Sequence, residues 1–211
     1  ALNLDLAYRY SDYSTSGGTS TYRAGFDWQP IDLLRVRVGY NRAVRAPNVA
    51  ELFAAQSLGL WTGADPCSGA SPIYTAAQCA LTGVTAAQYG NIVASPAGQY
   101  NGLFGGNPNL DPETADTWTA GVVINPMDTM TVSIDYWKID IDDTISNIGA
   151  TTILEQCGLF GALCDQINRN PSTGDLWRGT AGFVADTNIN LGSNKWEGID
   201  LAFVWSVEGL G

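Results

Sequence analysis

The side chains best suited to chemistry in this chain are carboxylates, four cysteines and a scatter of aromatics; histidine is absent. Asp140, Asp142 and Asp143 lie close enough together to offer oxygen ligands to calcium, but the glycine and distant glutamate of an EF-hand loop are missing. A solvated strand extension accounts for the run more simply. Trp61, Tyr74, Tyr89, Tyr100 and Trp177 either offer faces on which a ligand stacks or pack the loops that carry them. The stretch GLFGGNPN (102–109) is rich in glycine but precedes no phosphate-binding lysine, so it reads as loop. With no nucleophile motif and no recognisable carboxylate pair, nothing reads as catalysis, and no enzyme activity, cofactor or metal is expected.

The cysteines fall as Cys67 with Cys79 and Cys157 with Cys164, each pair inside a loop-like or short-helix segment. Four cysteines allow three connectivities, and pairing between neighbours is the expected one. Zinc is the competing reading, but structural zinc sites favour closer cysteine spacing or histidine. Disulfides imply an oxidising compartment such as the periplasm or cell surface. A net charge of −11 excludes nucleic acid as a partner, because displacing counterions needs a basic face. A hydrophobic fraction of 45% supports a core, and 24 glycines among threonine, asparagine and aromatics favour strands and turns. No apolar run approaches the ~20 residues of a spanning helix, and ALNLDLAYRY at the start lacks the features of a signal peptide. The chain is expected neither to begin nor to end like a whole exported protein.

Alternation with period two marks strands near 1–12, 20–28, 34–42, 114–125, 129–137 and 197–206. One face collects Leu2, Leu4, Leu6, Tyr8, Tyr10; Tyr22, Ala24, Phe26, Trp28; and Leu34, Val36, Val38, Tyr40. It continues with Trp118, Ala120, Val122, Ile124; Met130, Val132, Ile134, Tyr136; and Ile199, Leu201, Phe203, Trp205. The opposite face carries Asp5, Arg9, Arg23, Asp27, Arg35, Arg37, Asp135 and Asp200, interleaved with glycine and threonine. A soluble antiparallel sandwich would also alternate. Two features favour a transmembrane barrel instead. QPIDL (29–33) and NPMDT (125–129) are tight turns, whereas the opposite ends carry long connections over 43–113 and 146–196. Aromatics also sort by height, with Trp28 and Trp205 near the tight turns and Tyr10, Tyr22, Tyr40, Trp118 and Tyr136 at the far end.

RAPNVAELF (45–53), followed by GNPNLDPETADTWTAGV (106–122), resembles the paired signature of TonB-dependent outer-membrane receptor barrels. In that signature an Arg-Ala-Pro segment ends one strand and an Asn-Pro-x-Leu-x-Pro-Glu segment begins the next. Arg45, Ala46, Pro47, Asn107, Pro108, Leu110, Pro112 and Glu113 carry the match. VSIDYWKIDIDDTI (132–145), CGLFGALCDQINRNPSTGDL (157–176) and WEGIDLAFVW (196–205) are similar to later strands and loops of the same family. The resemblance implies an all-β fold, a transmembrane antiparallel β-barrel segment of about six strands within a barrel of about 22. It also implies that 43–113 and 146–196 are extracellular loops, that residues 1–211 lack the plug domain, and that the location is the bacterial outer membrane. The expected partners are outer-membrane lipid, TonB through the missing plug segment, and a small-molecule or oligomeric substrate of unknown identity. The implied function is capture of a scarce solute and its import with TonB-supplied energy. A passive porin, or a soluble β-sandwich binding module, is the alternative.

The motif also has a local reading. Pro47 lacks the N–H that would continue a ladder, and Asn48 with Glu51 has the spacing of a capping box. Val49, Leu52 and Phe53 then form one apolar face of a short helix. Arg45 shares parity with Arg35 and Arg37, and Glu113 with Thr117, so Arg45 and Glu113 either meet on adjacent strands or are solvated separately.

Overall fold

The structure is a computed structural model, described here over residues 1–206. It divides into two compact units, each treated by itself below. The first comprises 1–47, 111–144 and the chain from Asn190 onward; the second comprises 48–110 and 145–189.

The first unit is a six-stranded antiparallel sheet. Its strands are β1 (Leu2–Tyr13), β2 (Gly17–Ile31), β3 (Leu34–Arg45), β6 (Glu113–Met127), β7 (Met130–Ser146) and β10 (Ile189–Trp205), in the order β1-β2-β3-β6-β7-β10. The sheet is open, with β1 and β10 as its edges. Period-two alternation fixes the register, since a slip of one residue would exchange the two faces of a strand. Leu4, Phe26, Val38, Ala120 and Tyr136 stand in one cross-strand row, and Asn3, Asp27, Arg37, Gly121 and Asp135 in the row beside it on the other face. The apolar face is bare: Leu6 is 78% exposed and Leu201 74%. At the upper end of this face the stripe gives way to charge, because Arg42, Asp116 and Asp140 form the row beyond Tyr40 and Trp118.

Tight turns at Asp32–Leu33 and Asp128–Thr129 close one end of the sheet. Asn125 links them: its N–H donates to the Leu33 carbonyl at 2.9 Å, and its Oδ1 accepts from the Thr131 hydroxyl at 2.9 Å. At the other end a short turn at 14–16 joins β1 to β2, and the two long excursions leave from β3 and β7.

The strands run further than alternation marks. The expected 129–137 is 130–146, the expected 197–206 begins at Ile189, 20–28 becomes 17–31, and 34–42 extends to Arg45. Beyond the apolar band the stripe changes sides on β7, where Lys138, Asp140 and Asp142 continue the parity of Ile134 and Tyr136 while Ile139 and Ile141 take the other face, although backbone pairing continues. The expected long connections 43–113 and 146–196 shorten correspondingly to 46–112 and 147–188.

Those connections are not irregular. The second unit contains α1 (Val49–Phe53), β4 (Ser57–Thr62), α2 (Ala76–Leu81), β5 (Gln99–Phe104), α3 (Ala150–Phe160), β8 (Ile167–Asn168) and β9 (Phe183–Ala185). Its sheet runs β4-β5-β9-β8, so both excursions supply two strands to one element. Ala150, Ile153, Leu154, Cys157 and Gly158 give α3 a buried face at helical spacing. They pack with Tyr100, Ile167, Leu176 and Val184 into one core, while Cys67, Cys79, Val84 and Ile92 form another. Asn48 caps α1 reciprocally with Glu51, at 2.9 and 2.8 Å. Of the expected apolar face of α1 only Leu52 is buried; Val49 and Phe53 are exposed.

Candidate functional site

Two sets of residues concentrate polar chemistry. The first is the charged face of the six-stranded sheet. Asp5 pairs with Arg23, and Asp27 with Arg35. Arg37 donates through Nε and Nη2 to Asp135 at 2.9 and 2.7 Å, reaching across Gly121 on the intervening strand. A Cβ at position 121 would collide with the Asp135 carboxylate, so only glycine lets the bridge cross β6. At the end of the same face Arg45 and Glu113 stand opposite each other in register. The guanidinium donates to both carboxylate oxygens, at 2.6 and 2.7 Å. Such pairs are polar and partly exposed, so they set a charge pattern more than they add stability.

The motif residues around that pair have distinct positions. Ala46 is half-buried and Pro47 is buried between β3 and α1 in the chain. Asn107 accepts at Oδ1 from the Asn109 N–H at 3.0 Å and donates from Nδ2 to the Asn188 carbonyl at 3.0 Å. Pro108 is exposed, Leu110 is 5% exposed, and Pro112 is half-buried just before β6. Asn190, which the sequence did not single out, ties three strand ends together. It accepts from the Asp111 N–H at 2.9 Å and donates to the carbonyls of Asp111 and Asp143, each at 2.8 Å.

The second set lies in the unit of 48–110 and 145–189. Cys67 is bonded to Cys79 and Cys157 to Cys164. Asp65 accepts two guanidinium bonds from Arg169, at 2.7 and 2.8 Å, and a third from the Cys67 N–H at 3.0 Å. Arg169 also donates to Thr82 and to the Gly174 carbonyl. The side chains of this pair are 3% and 0% exposed. Asp186 accepts from the Gly149 N–H at 2.9 Å and from Asn147, anchoring the start of α3. Asp175 accepts from Arg178 Nε at 2.7 Å and from the Arg178 N–H at 2.9 Å. Burial pushes the Asp175 carboxyl upward, but the Thr173 hydroxyl, then Arg178 and the Trp177 N–H, outweigh it and hold the group below the usual carboxylate range. Spacing in the sequence could not reveal the distant partners of Asp65 and Asp186, although the helical spacing of apolar residues over 150–158 could have revealed α3.

The loop aromatics serve mainly to pack this unit. Trp61 stacks on Tyr100 with centroids 5.0 Å apart, and its indole N–H donates to the Asn101 carbonyl at 3.0 Å. The Trp177 indole donates to the Val93 carbonyl, and the Tyr89 hydroxyl to the Tyr74 carbonyl. Tyr74 remains half-buried at a small pocket. In the acidic run, Asp140 pairs with Lys138 at 2.9 Å. Among the described residues no group of three or more histidine, cysteine, aspartate or glutamate side chains is placed to hold a metal.

An open antiparallel sheet with one apolar face, one charged face, tight turns at one end and long structured excursions at the other has the architecture of a wall of an outer-membrane barrel. The chain belongs to the TonB dependent receptor-like β-barrel family, whose model matches residues 1–211. Its fold is similar to that of the siderophore receptor PirA from Acinetobacter baumannii, with TM-score 0.61 and 17% identity, covering 98% of this chain and 24% of that one. It is also similar to a mutant of the ferric enterobactin receptor PfeA from Pseudomonas aeruginosa, with TM-score 0.60 and 14% identity over 95% of this chain and 21% of that one. A third similar structure is PirA from Pseudomonas aeruginosa, with TM-score 0.54 and 18% identity over 95% and 27%. The chain thus spans about a quarter of the length of these receptors. No curated protein sequence matches it.

Proposed function

We propose that this chain is wall and outer vestibule of a bacterial outer-membrane receptor that binds a scarce solute outside the cell and imports it with energy supplied through TonB. It is not an enzyme. The observation that carries the reading is the sorting of the six-stranded sheet into an exposed apolar face and a charged face of ion pairs, in a chain matched end to end by the receptor-barrel family. The apolar face meets lipid and the charged face lines the lumen, opposite a plug domain supplied by another part of the full-length protein. The disulfide-braced unit of 48–110 and 145–189 faces the outside, where its bonds persist and where solute arrives. The similar folds named as siderophore receptors do not assign this chain's solute, because at 14–18% identity the likeness speaks to fold.

The test is uptake by cells expressing the full-length protein. Solute that binds the receptor should accumulate, and accumulation should stop when the proton motive force is collapsed or TonB is deleted. Entry at an undiminished rate under either condition would contradict energised import and identify a passive porin. Removing the excursion tip between Gly59 and Gly98 should weaken solute binding while the barrel still assembles.

A further inference from the structure

The unit of 48–110 and 145–189 carries more acidic than basic side chains. Its acidic residues are Glu51, Asp65, Glu155, Asp165, Asp175 and Asp186; its basic residues are Arg169 and Arg178, with no lysine. Both guanidiniums are committed. Arg169 is buried against Asp65, and Arg178 is bonded to Asp175 and lies 5.5 Å from the centre of the Trp177 ring. An anionic solute approaching this unit would meet no uncommitted cation on it, only excess negative charge.

The same unit holds a pocket of about 280 Å³ between the segment braced by Cys67–Cys79 and helix α3, which carries Cys157. Pro66, Ile73 and Leu154 form apolar walls, the Tyr74 ring a further wall, and Thr151 with Glu155 the polar edge. Ile73 is 81% exposed although it lines this space. The disulfides flank this space, with Cys67, Cys79 and Cys157 fully buried, and the absence of a side chain at Gly158 makes room for the Tyr74 ring. Burial, followed by the charge of Glu155, raises the Tyr74 pKa, so the ring stands beside that carboxylate as a neutral phenol. Glu155 is the only charged group on the lining, so the pocket combines apolar surface, an aromatic face and one carboxylate.

We infer that this pocket binds an apolar group bearing a protonated amine, with the ammonium beside Glu155 and Tyr74 and the hydrocarbon against Ile73, Pro66 and Leu154. Resting on the receptor reading, this makes the solute class cationic and amphipathic.

The test uses the detergent-solubilised full-length receptor and three probes of matched shape: phenethylammonium, phenethyl alcohol and 3-phenylpropionate. The ammonium should bind tightest and the carboxylate at least about tenfold more weakly. Glu155→Gln should weaken ammonium binding about two- to fivefold and leave the alcohol unchanged; its exposed position keeps folding out of the comparison. Tyr74→Leu should weaken the ammonium more than the alcohol. Equal binding of the carboxylate, or an ammonium affinity indifferent to Glu155→Gln, would overturn the assignment. Binding to solubilised receptor requires neither TonB nor an energised membrane. Loss of TonB dependence in uptake would therefore leave this pocket standing, and failure of the ammonium to bind would leave energised import standing.

Discussion

Arg169 and Asp65 lie 104 residues apart in sequence and meet in a doubly bonded ion pair that solvent barely reaches. The pair joins the two excursions of the chain, one supplying Asp65 and Thr82 and the other Arg169 and Gly174. Removing one partner leaves the other charged and buried, which costs about 3–5 kcal/mol. Arg169→Met should therefore open this unit and raise its cleavage in limited proteolysis of the full-length receptor by about a hundredfold or more. The double variant Asp65→Leu/Arg169→Met should recover much of that loss.

Gly121 makes a different kind of prediction. Gly121→Val would place branched carbon where the Arg37–Asp135 bridge crosses β6. The bridge should break and the sheet should lose about 1–3 kcal/mol, most of it from steric crowding. Urea unfolding of the receptor in lipid vesicles measures the loss, and Asp135→Asn in the same background should then cost little more.

Val36 sits in the apolar row with Trp28, Val122 and Ile134. Trp28 puts that row at the aromatic band near the tight turns and not at the bilayer midplane, so Val36→Arg should cost about 1 kcal/mol. Arg35 and Arg37 already occupy the neighbouring positions on the other face, each paired with an aspartate. The same unfolding measurement checks it, and full stability of the variant would place the row out of the membrane.

Asp175 gives the pH dependence. Its folded pKa is depressed, so it contributes stability above its unfolded pKa of about 4, and that contribution is lost as pH falls through the folded value. Hydrogen exchange at Asp175–Arg178 should accelerate beyond the intrinsic pH trend upon acidification below about pH 4. Asp175→Asn should flatten that excess.

The strand faces were legible because a requirement for opposite solvents at each pleat enforces alternation, as in LNLDLAYRY and LLRVRVGY. The upper ends of β7 and β10 were not, since the parity that is apolar lower down turns polar at Lys138, Asp140 and Asp142 on β7 and at Ser193, Lys195 and Glu197 on β10. The capping box at Asn48 could be read because it spans three residues, whereas the clasp of Arg169 on Asp65 depends on how two distant excursions fold together. Helix α3 was legible only as short-helix character around Cys157, although Ala150, Ile153, Leu154 and Cys157 carried its period. The apolar face of α1 was over-read: Leu52 alone turns inward.

The claim on which the account rests is that one face of the six strands meets lipid and the other meets water. Spin labels placed singly at Leu6, Val38 and Leu201, and at Arg35, Thr119 and Asp200, in the full-length receptor reconstituted in vesicles read this directly. The account predicts that labels at the first three positions are relaxed by dissolved oxygen and shielded from a water-soluble nickel complex, with the reverse at the other three. Equal access of the nickel complex to both sets would contradict it.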